Sequence, residues 1–465
     1  MRKPGKFRLL LALLMAFALV AAACGDDDDT ASGDEEPTDD TSDGGDEGEG
    51  EGDLISCPTG EDAIEASEAG EPAPEETVEK TENTGGDGVL DFGTILPETG
   101  DLAFLGPPEF AGVDLAIQDI NAAGGVFDND VTISHGDSGD TSTDLASQEA
   151  TRLINAGVDA IIGAASSGVS LTVIDQITGA GVIHFSPANT SPSFTDYDDN
   201  GLYFRTAPSD VLQGRVLSDL VLDDGFTSVA VMARDDDYGV NLLEAFEGFF
   251  TDSGGEVVES LSYDPQAQNF DAEIDQVTGA NPEAIILIGF AESAQIITGL
   301  DEGGFGPNDV QIYGTDGNMG NSLAENFDDA TVLTCMKGTI PLTELGDDFK
   351  DRLLGINPNL VDFSYAAESY DATIITALAA AIAGSDDGPA VAAEINGVTK
   401  DGEKCTTFEE CKALIDEGTT DIDYDGVGGP YEFIDAGEPG AAVFAIPQFD
   451  AAGAIAIPDY QQAEL

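Results

Sequence analysis

Between residues 89 and 313, short apolar runs alternate with longer stretches whose apolar residues recur at a helical spacing. Residues 89–96 form the first apolar run and predict a buried strand. In residues 107–123, four apolar side chains share one helical face: Phe110, Val113, Ile117 and Ile120. Gly124 follows, where a helix commonly ends. Apolar runs that alternate with amphipathic helices indicate a parallel sheet, so the sequence predicts α/β architecture.

The alternation forms two series, separated by a break near Ala207-Pro208. The first series continues with strands near 131–135, 158–162 and 182–185, and with helices near 143–155 and 169–178. The second has helices near 211–222, 241–250, 270–278 and 293–302, and strands near 229–233, 256–263, 284–288 and 310–313. Two similar α/β lobes are therefore expected. In such sheets ligands bind at the carboxyl ends of the strands, so the loops after the strands are candidate binding loops.

The loops that follow the predicted strands carry small, hydroxyl and acidic side chains. In the first lobe, Ser167 and Thr190 place hydroxyls beside the N–H groups of a helix start, which suits a carboxylate. In the second lobe, Tyr238 and Asp316 suit an ammonium group. Each residue also has a purely structural alternative: helix capping for the hydroxyls, packing for the tyrosine, and an ion pair for the aspartate.

The N-terminus has the pattern of an export signal. Basic residues precede an apolar run at 9–23 that is too short to span a bilayer. The run ends in small residues before Cys24 and resembles the lipobox of bacterial lipoproteins. This resemblance implies that residues 1–23 are removed and that a lipid on Cys24 anchors the chain to the outer face of the cell membrane; ordinary cleavage beside an incidental cysteine is the alternative. Residues 24–88 are acidic and poor in apolar residues, which predicts a disordered tether.

The charge balance is strongly acidic, with 15 Lys and Arg against 92 Asp and Glu and a formal net charge of -77. A chain of this charge repels nucleic acid, which is therefore excluded as a natural partner. It also indicates an exterior of high ionic strength, where screening reduces self-repulsion. The acidic tether supplies part of the imbalance.

Four cysteines remain besides Cys24: Cys57, Cys335, Cys405 and Cys411. An even number in an exported chain predicts disulfides. Cys405 and Cys411 are close in sequence, and their bond is worth about 2 kcal/mol of stability by loop closure. A disulfide bond between Cys57 and Cys335 then follows by elimination. A metal site competes with this interpretation, but His135 and His184 lie in apolar strand-like runs, and no Cys/His cluster has the spacing of metal ligands.

A calcium loop is a second competing hypothesis. The segment 421–432 satisfies the EF-hand pattern with four acidic residues: Asp421, Asp423, Asp425 and Glu432. However, Gly428-Gly429-Pro430 interrupts its second half, and residues 431–434 predict a strand where an EF-hand needs a helix. An acidic turn is therefore preferred, with no resident metal or cofactor. The sequence contains no nucleophile elbow, zinc-protease helix or phosphate loop, which argues against an enzyme.

Several motifs together resemble the leucine/isoleucine/valine-binding proteins of bacterial ABC importers. They are Thr99-Gly100-Asp101, the Ile-Asn-Ala-Ala-Gly-Gly stretch at 120–125, and Tyr238-Gly239. The resemblance covers the body and implies a type I periplasmic binding protein, in which two Rossmann-like lobes close on a ligand about a hinge. It places lobe 1 at 89–207 and 341–435 and lobe 2 at 208–340 and 436–465, with crossings near Ala207, Ile340 and Asp435.

Seven positions match the ligand contacts of this family: Leu105, Ser167, Ala188, Thr190, Tyr238, Phe290 and Asp316. The resemblance implies that the first lobe binds the carboxylate of an amino acid and that Asp316 binds its ammonium group. Leu105 and Phe290 depart from the aromatic residue and the tyrosine that are usual there, which leaves the preferred side chain open.

The family resemblance also implies a role. It implies a monomeric, exported solute-binding lipoprotein that delivers an amino acid, branched-chain or similar, to an ABC permease and its ATPase. A sensor subunit that presents bound ligand to a membrane signalling partner is an alternative. A binder of an amide, urea or a short peptide is another.

Overall fold

The structure is a computed structural model that describes Cys57 and residues 86–464. The predicted signal peptide, Cys24 and the tether lie outside the described residues, apart from Cys57 and residues 86–88. Within the described part of the chain, no helix is long and apolar enough to cross a lipid bilayer.

Five parallel strands form the first sheet: β1 (Asp91–Ile95), β2 (Thr132–Ser134), β3 (Ala160–Gly163), β4 (Ile183–Ser186) and β5 (Tyr203–Arg205). Their spatial order is β2-β1-β3-β4-β5. Three helices connect the first four: α1 (Gly106–Ala122), α2 (Leu145–Ala156) and α3 (Ser167–Thr178). Every residue of β3 and β4 is buried. Helices cover both faces of a parallel sheet, which explains why these strands are almost continuous apolar runs.

The second sheet begins with four further parallel strands: β6 (Ser228–Arg234), β7 (Glu256–Tyr263), β8 (Ala284–Ile288) and β9 (Gln311–Gly314). The short β10 (Lys337–Gly338) and β11 (Ile340–Pro341) follow. The helices of this region are α4 (Asp210–Asp223), α5 (Asp237–Asp252), α6 (Asp271–Gly279), α7 (Ser293–Glu302) and α8 (Asn321–Ala324). The strands and helices predicted between residues 89 and 313 are therefore confirmed in type and order.

A return segment packs against the first sheet: α9 (Asp347–Ile356), α10 (Ala366–Ala383), α11 (Gly388–Val398) and α12 (Phe408–Asp416). It also forms a small third sheet from β12 (Glu403–Cys405), β13 (Ile422–Gly426) and β14 (Gly429–Pro430). Helix α10 lies against α1 and is buried on nearly all sides, as expected for a helix that is apolar all round. The strand predicted at 431–434 is wrong, because that segment makes only one isolated bridge, between Phe433 and Pro439.

Two C-terminal strands, β15 (Ala441–Phe449) and β16 (Ile455–Glu464), complete the second sheet. Its order is β11-β15-β10-β9-β8-β6-β7, and β16 pairs antiparallel with β15 along its whole length. The chain thus passes between the two large sheets three times: after β5, after β11, and between β14 and β15. The predicted crossings Ala207 and Asp435 lie in such passages, while Ile340 lies within β11.

Both predicted disulfides are present. Cys405 ends β12 and bonds to Cys411 in α12, with the two Cα atoms 5.3 Å apart. Cys57 bonds to Cys335, which directly precedes the strand pair β10 and β11, with a Cα separation of 5.5 Å. The second bond therefore ties a residue of the predicted tether to the second sheet.

The acidic residues of the EF-hand pattern do not converge. Residues 423 and 425 are two positions apart in the extended strand β13, so both side chains lie on the same face of the sheet as Lys404 of β12. There Lys404 contacts Asp423 at 2.8 Å and Asp425 at 3.0 Å. Asp421 and Glu432 are exposed. Among the described residues, no group of three or more His, Cys, Asp or Glu is arranged to hold a metal ion.

The two histidines of the chain have different surroundings. His135 directly follows β2, where its ring bonds to Thr94 and Asp114. His184 lies within β4, fully buried, with its ring edge against Tyr203. Burial lowers the pKa of His184 from 6.5 to about 4, so the native ring is neutral at pH 7. Between these two pH values the unfolded chain binds the extra proton, and the native state loses stability as the pH falls.

The change His184→Leu is expected to remove this acid-sensitive contribution. Between pH 7 and pH 4.5 the unchanged protein should lose about 2–3 kcal/mol more unfolding free energy than the variant. Urea-induced unfolding of both proteins at the two pH values measures this difference. The carboxylates titrate alike in both, so equal losses would show that His184 is not responsible.

Candidate functional site

The structure brings all seven predicted ligand residues together around one cavity between the two large sheets. The residues are Leu105, Ser167, Ala188, Thr190, Tyr238, Phe290 and Asp316. Five further residues complete the lining: Leu102, Ala165, Ser166, Gly317 and Tyr365. The cavity measures about 10 Å³, which is room for about one water molecule. The site is therefore closed in this structure.

Hydroxyls and backbone N–H groups form the wall on the first sheet. Helix α3 begins directly after β3, and its N-cap is Ser166, whose Oγ accepts from the N–H of Val169. Ser167 is consequently not needed as a cap. Its Oγ accepts instead from the N–H groups of Thr190 and Ser191, at 3.3 Å each. The first N–H groups of a helix have no intrahelical partner, so this wall attracts anions.

The loop after β4 is held to the loop after β3 by buried polar contacts. Ser186 donates to the carbonyl of Ala164 at 2.7 Å and accepts from the N–H of Ala188 at 3.2 Å. The side-chain amide of Asn189 donates to the carbonyls of Ala164 and Ala165 at 3.0 and 2.9 Å. These bonds fix Ala188 and Thr190 opposite Ser167.

A buried ion pair supports the same loop from behind. Arg205, at the end of β5, donates to the carbonyls of Asn189 and Ser191 at 3.2 and 2.8 Å. Its Nε donates to Glu438 at 2.8 Å, and both side chains are buried. Glu438 belongs to the passage between β14 and β15, so this pair links the binding loop to one of the crossings.

Asp316 is the acidic centre of the opposite wall. It follows β9, and its Oδ1 accepts from the Tyr238 hydroxyl at 2.8 Å and from Gln213 at 3.0 Å. Its Oδ2 accepts from the Tyr365 hydroxyl at 2.8 Å. Burial raises the pKa of Asp316, and the hydrogen bonds from the two tyrosines and Gln213 oppose that rise. Asp210 lies nearby and is also buried. Burial and the charge of Asp316 raise its pKa well above the usual value.

Stacked groups fix the aromatic part of this wall. The rings of Tyr238 and Phe290 stack with centroids 5.2 Å apart. The guanidinium of Arg234 lies 3.5 Å from the centroid of Phe290 and is bound by Asp236 and Glu292. A desolvated cation over a ring face is worth about 2 kcal/mol. Phe290 is therefore held in place although it lacks the hydroxyl of the tyrosine that leucine/isoleucine/valine-binding proteins usually have at the matching position.

Several polar contacts join the two walls across the closed site. Tyr365, which precedes α10, bonds to Asp316 as described. Asp101, in the loop after β1, lies 3.5 Å from Arg234. Asp362 accepts from the side-chain amide of Asn321 at 2.6 Å. A ligand can enter or leave only when these contacts separate.

Tyr365 and Gln213 are the main residues that the strand-end rule missed. Tyr365 belongs to the return segment and has a left-handed backbone, with φ of 59°. Such a conformation is uncommon for a residue other than glycine and often marks a functional position. Gln213 projects from the first turn of α4. Neither follows a strand of the parallel core, so the strand pattern contains no signal for them.

The sequence profile of the family described as "Periplasmic binding protein" matches residues 90–453. This chain belongs to that family. The match spans both large sheets and the return segment, and the predicted type I periplasmic binding protein fold is confirmed. Proteins of this family bind solutes and are not enzymes, in agreement with the sequence prediction.

Three similar proteins illustrate the family. "Leu/Ile/Val-binding protein homolog 7" of Brucella abortus (strain 2308) is 26% identical over 231 residues, or 48% of this chain and 57% of that protein. The chain thus spans little more than half the length of this relative. The "chemotactic signal transduction system substrate-binding protein BasB" of Halobacterium salinarum is 24% identical over 359 residues, or 75% and 84% of the two chains. The crystal structure of the Streptococcus pneumoniae branched-chain amino acid transporter substrate binding protein LivJ with isoleucine has a TM-score of 0.67 at 21% identity, covering 81% of this chain and 100% of that one.

The buried ion pair behind the binding loop provides a stability test. Glu438→Leu leaves the charge of Arg205 buried without its counter-ion, which costs about 3–5 kcal/mol of unfolding free energy. The double change Arg205→Met with Glu438→Leu removes both charges and should recover at least half of that loss. Urea-induced unfolding measures both quantities. A single change that costs less than about 1 kcal/mol would contradict the supporting role of this pair.

Proposed function

We propose that this periplasmic binding protein captures an amino acid, branched-chain or similar, by closure of two lobes outside the cytoplasm. The observation that carries the proposal is the polarity of the cavity. Ser167, Ala188 and Thr190, together with the start of helix α3, line one side, and the carboxylate of Asp316 lies on the other. This arrangement complements the carboxylate and the ammonium group of an α-amino acid.

The remaining lining favours an apolar side chain. Leu102, Leu105 and Phe290 contribute carbon surface to the same cavity. Since the closed cavity is smaller than an amino acid, Tyr365 must release Asp316 before a ligand enters. The ligand's ammonium group then takes the place of a neutral hydroxyl beside the carboxylate, which strengthens that contact because both partners are then charged. Closure follows from the difference in affinity between the open and closed states.

The cellular part of the proposal rests on the N-terminal sequence and the family. In the proposed arrangement, a lipid on Cys24 holds the protein at the outer face of the membrane, and the acidic tether spaces the body from it. The closed lobes deliver the amino acid to an ABC permease as a monomer. Anchoring raises the concentration of the binding protein near its importer.

A sensory role is the second candidate. It is favoured by the similarity, over 75% of this chain, to BasB, which is named as a substrate-binding protein of a chemotactic signal transduction system. The same closed form would then be recognised by a membrane signalling partner. Genes for a permease and an ATPase beside this gene would favour transport, whereas a gene for a membrane signalling protein would favour sensing.

The change Asp316→Asn tests the ammonium contact. Loss of a buried counter-charge should weaken leucine, isoleucine or valine binding about 100-fold or more, because such losses cost at least 2–5 kcal/mol. Titration calorimetry measures the affinity, and the thermal midpoint should stay within a few degrees of that of the unchanged protein.

Asp224→Asn is the matched control, because Asp224 also accepts from a tyrosine hydroxyl, that of Tyr313, but lies outside the cavity. It should leave the affinity unchanged. Undiminished binding by the Asp316 variant would refute the role of Asp316. Failure of the unchanged protein to bind any amino acid, while it binds an amide, urea or a short peptide in a thermal-shift screen, would refute the proposed ligand class.

A further inference from the structure

A second cavity of about 250 Å³ lies where the chain passes between the two large sheets. All three passages line it: the first at Thr206 and Pro208, the second at Pro341–Thr343, and the third at Pro439 with the start of β15. We name it the hinge cavity. It is separate from the ligand cavity, with which it shares no lining residue.

An acidic side chain without a hydrogen-bond partner faces this cavity. Glu368, in the first turn of α10, lines it and is only 6% exposed. Its Oε2 has no hydrogen-bond partner among the described residues. Burial, together with the charge of the nearby Glu368, raises the pKa of Glu109 on α1. Neither carboxyl oxygen of Glu109 has a hydrogen-bond partner within the described chain. A buried acceptor of this kind costs free energy until a donor reaches it.

The rest of the lining matches an organic cation. The ring of Tyr431, whose hydroxyl bonds to Asp371, forms part of the wall and offers a face for a cation. Glu432 and Glu464 add two carboxylates, and none of the described residues that line the cavity is basic. Much of the remaining wall is apolar, from proline, alanine, leucine and valine side chains. A bare metal ion lacks the oxygen ligands it needs here, because the described residues hold no cluster of three metal-binding side chains.

We propose that the hinge cavity is a second ligand site, which binds a small primary organic ammonium ion with Glu368 as its counter-ion. The ammonium group pairs with the carboxyl group of Glu368, and the carbon chain contacts the proline-rich wall and the ring of Tyr431.

The protonation of Glu368 makes this binding depend on pH. Burial, together with the charge of Asp371 on the same helix, raises the pKa of Glu368 to about 8. Glu109 on α1, Tyr431 and Tyr365 also face it. Below that pH the carboxyl group carries a proton that the cation must displace. The affinity should therefore rise up to about tenfold per pH unit between pH 6 and pH 8, and then level off.

Titration calorimetry of the purified protein with n-butylammonium chloride tests the proposal at pH 6, 7 and 8. Binding at pH 8 that weakens toward pH 6 is expected, and n-butanol and potassium chloride should give no binding. Glu368→Gln should weaken n-butylammonium binding at least tenfold at pH 8. Glu344→Gln, the same change at an exposed residue outside the cavity lining, should leave it unchanged.

The Asp316→Asn protein separates this site from the amino-acid site, since it should keep its affinity for n-butylammonium. Loss of that affinity would assign the ion to the ligand cavity and overturn the proposal. The proposal would also be overturned by equal affinity for n-butylammonium at the three pH values, by equal binding of n-butanol, or by undiminished binding of n-butylammonium to the Glu368 variant. Should that variant fail to fold, the pH dependence and the n-butanol comparison in the unchanged protein still decide the matter. Neither of these two measurements requires that the protein binds an amino acid.

Discussion

The closed state of this protein depends on one buried carboxylate, that of Asp316. A carboxylate that leaves water loses several kcal/mol of solvation unless hydrogen bonds replace it. Here the donors come from three separate parts of the chain: Tyr238 and Gln213 beside the second sheet, and Tyr365 from the return segment. Because Tyr365 reaches Asp316 only when the two sheets approach each other, the solvation of this group is linked to the distance between the lobes.

Much of the candidate site could be predicted from the sequence, for a geometric reason. The carboxyl ends of parallel strands meet at one edge of a sheet, so residues apart in sequence, such as Ser167 and Thr190, become neighbours once the strand order is known. The family resemblance added Leu105, Ala188 and Phe290, which carry no chemical signal of their own. The loops could be identified because β3, β4, β6, β8 and β9 are almost continuous apolar runs.

The residues that escaped prediction depend on contacts that no local pattern encodes. Tyr365 follows no strand. Neither its left-handed backbone nor the packing of α10 on α1 is encoded in a local sequence pattern. The EF-hand pattern shows the converse, because the local motif is complete but its acidic side chains do not converge, and Asp423 pairs with Lys404 of the neighbouring strand. The strand expected at 431–434 failed similarly, because Glu432 has a left-handed backbone that interrupts extended pairing.

Buried acids recur wherever the two lobes meet. Asp316 and Asp210 lie at the ligand cavity, and Glu368 and Glu109 lie beside the hinge cavity; burial raises the pKa of each. In a chain with so few basic residues, these carboxyl groups have few internal cations to pair with. Internal hydrogen bonds stabilise Asp316, and a proton or a positive group from outside can stabilise any of the four. A cation that reaches such a group when the lobes are closed favours that closed state, so the acidity of this protein suits a closing mechanism driven by ammonium-bearing ligands.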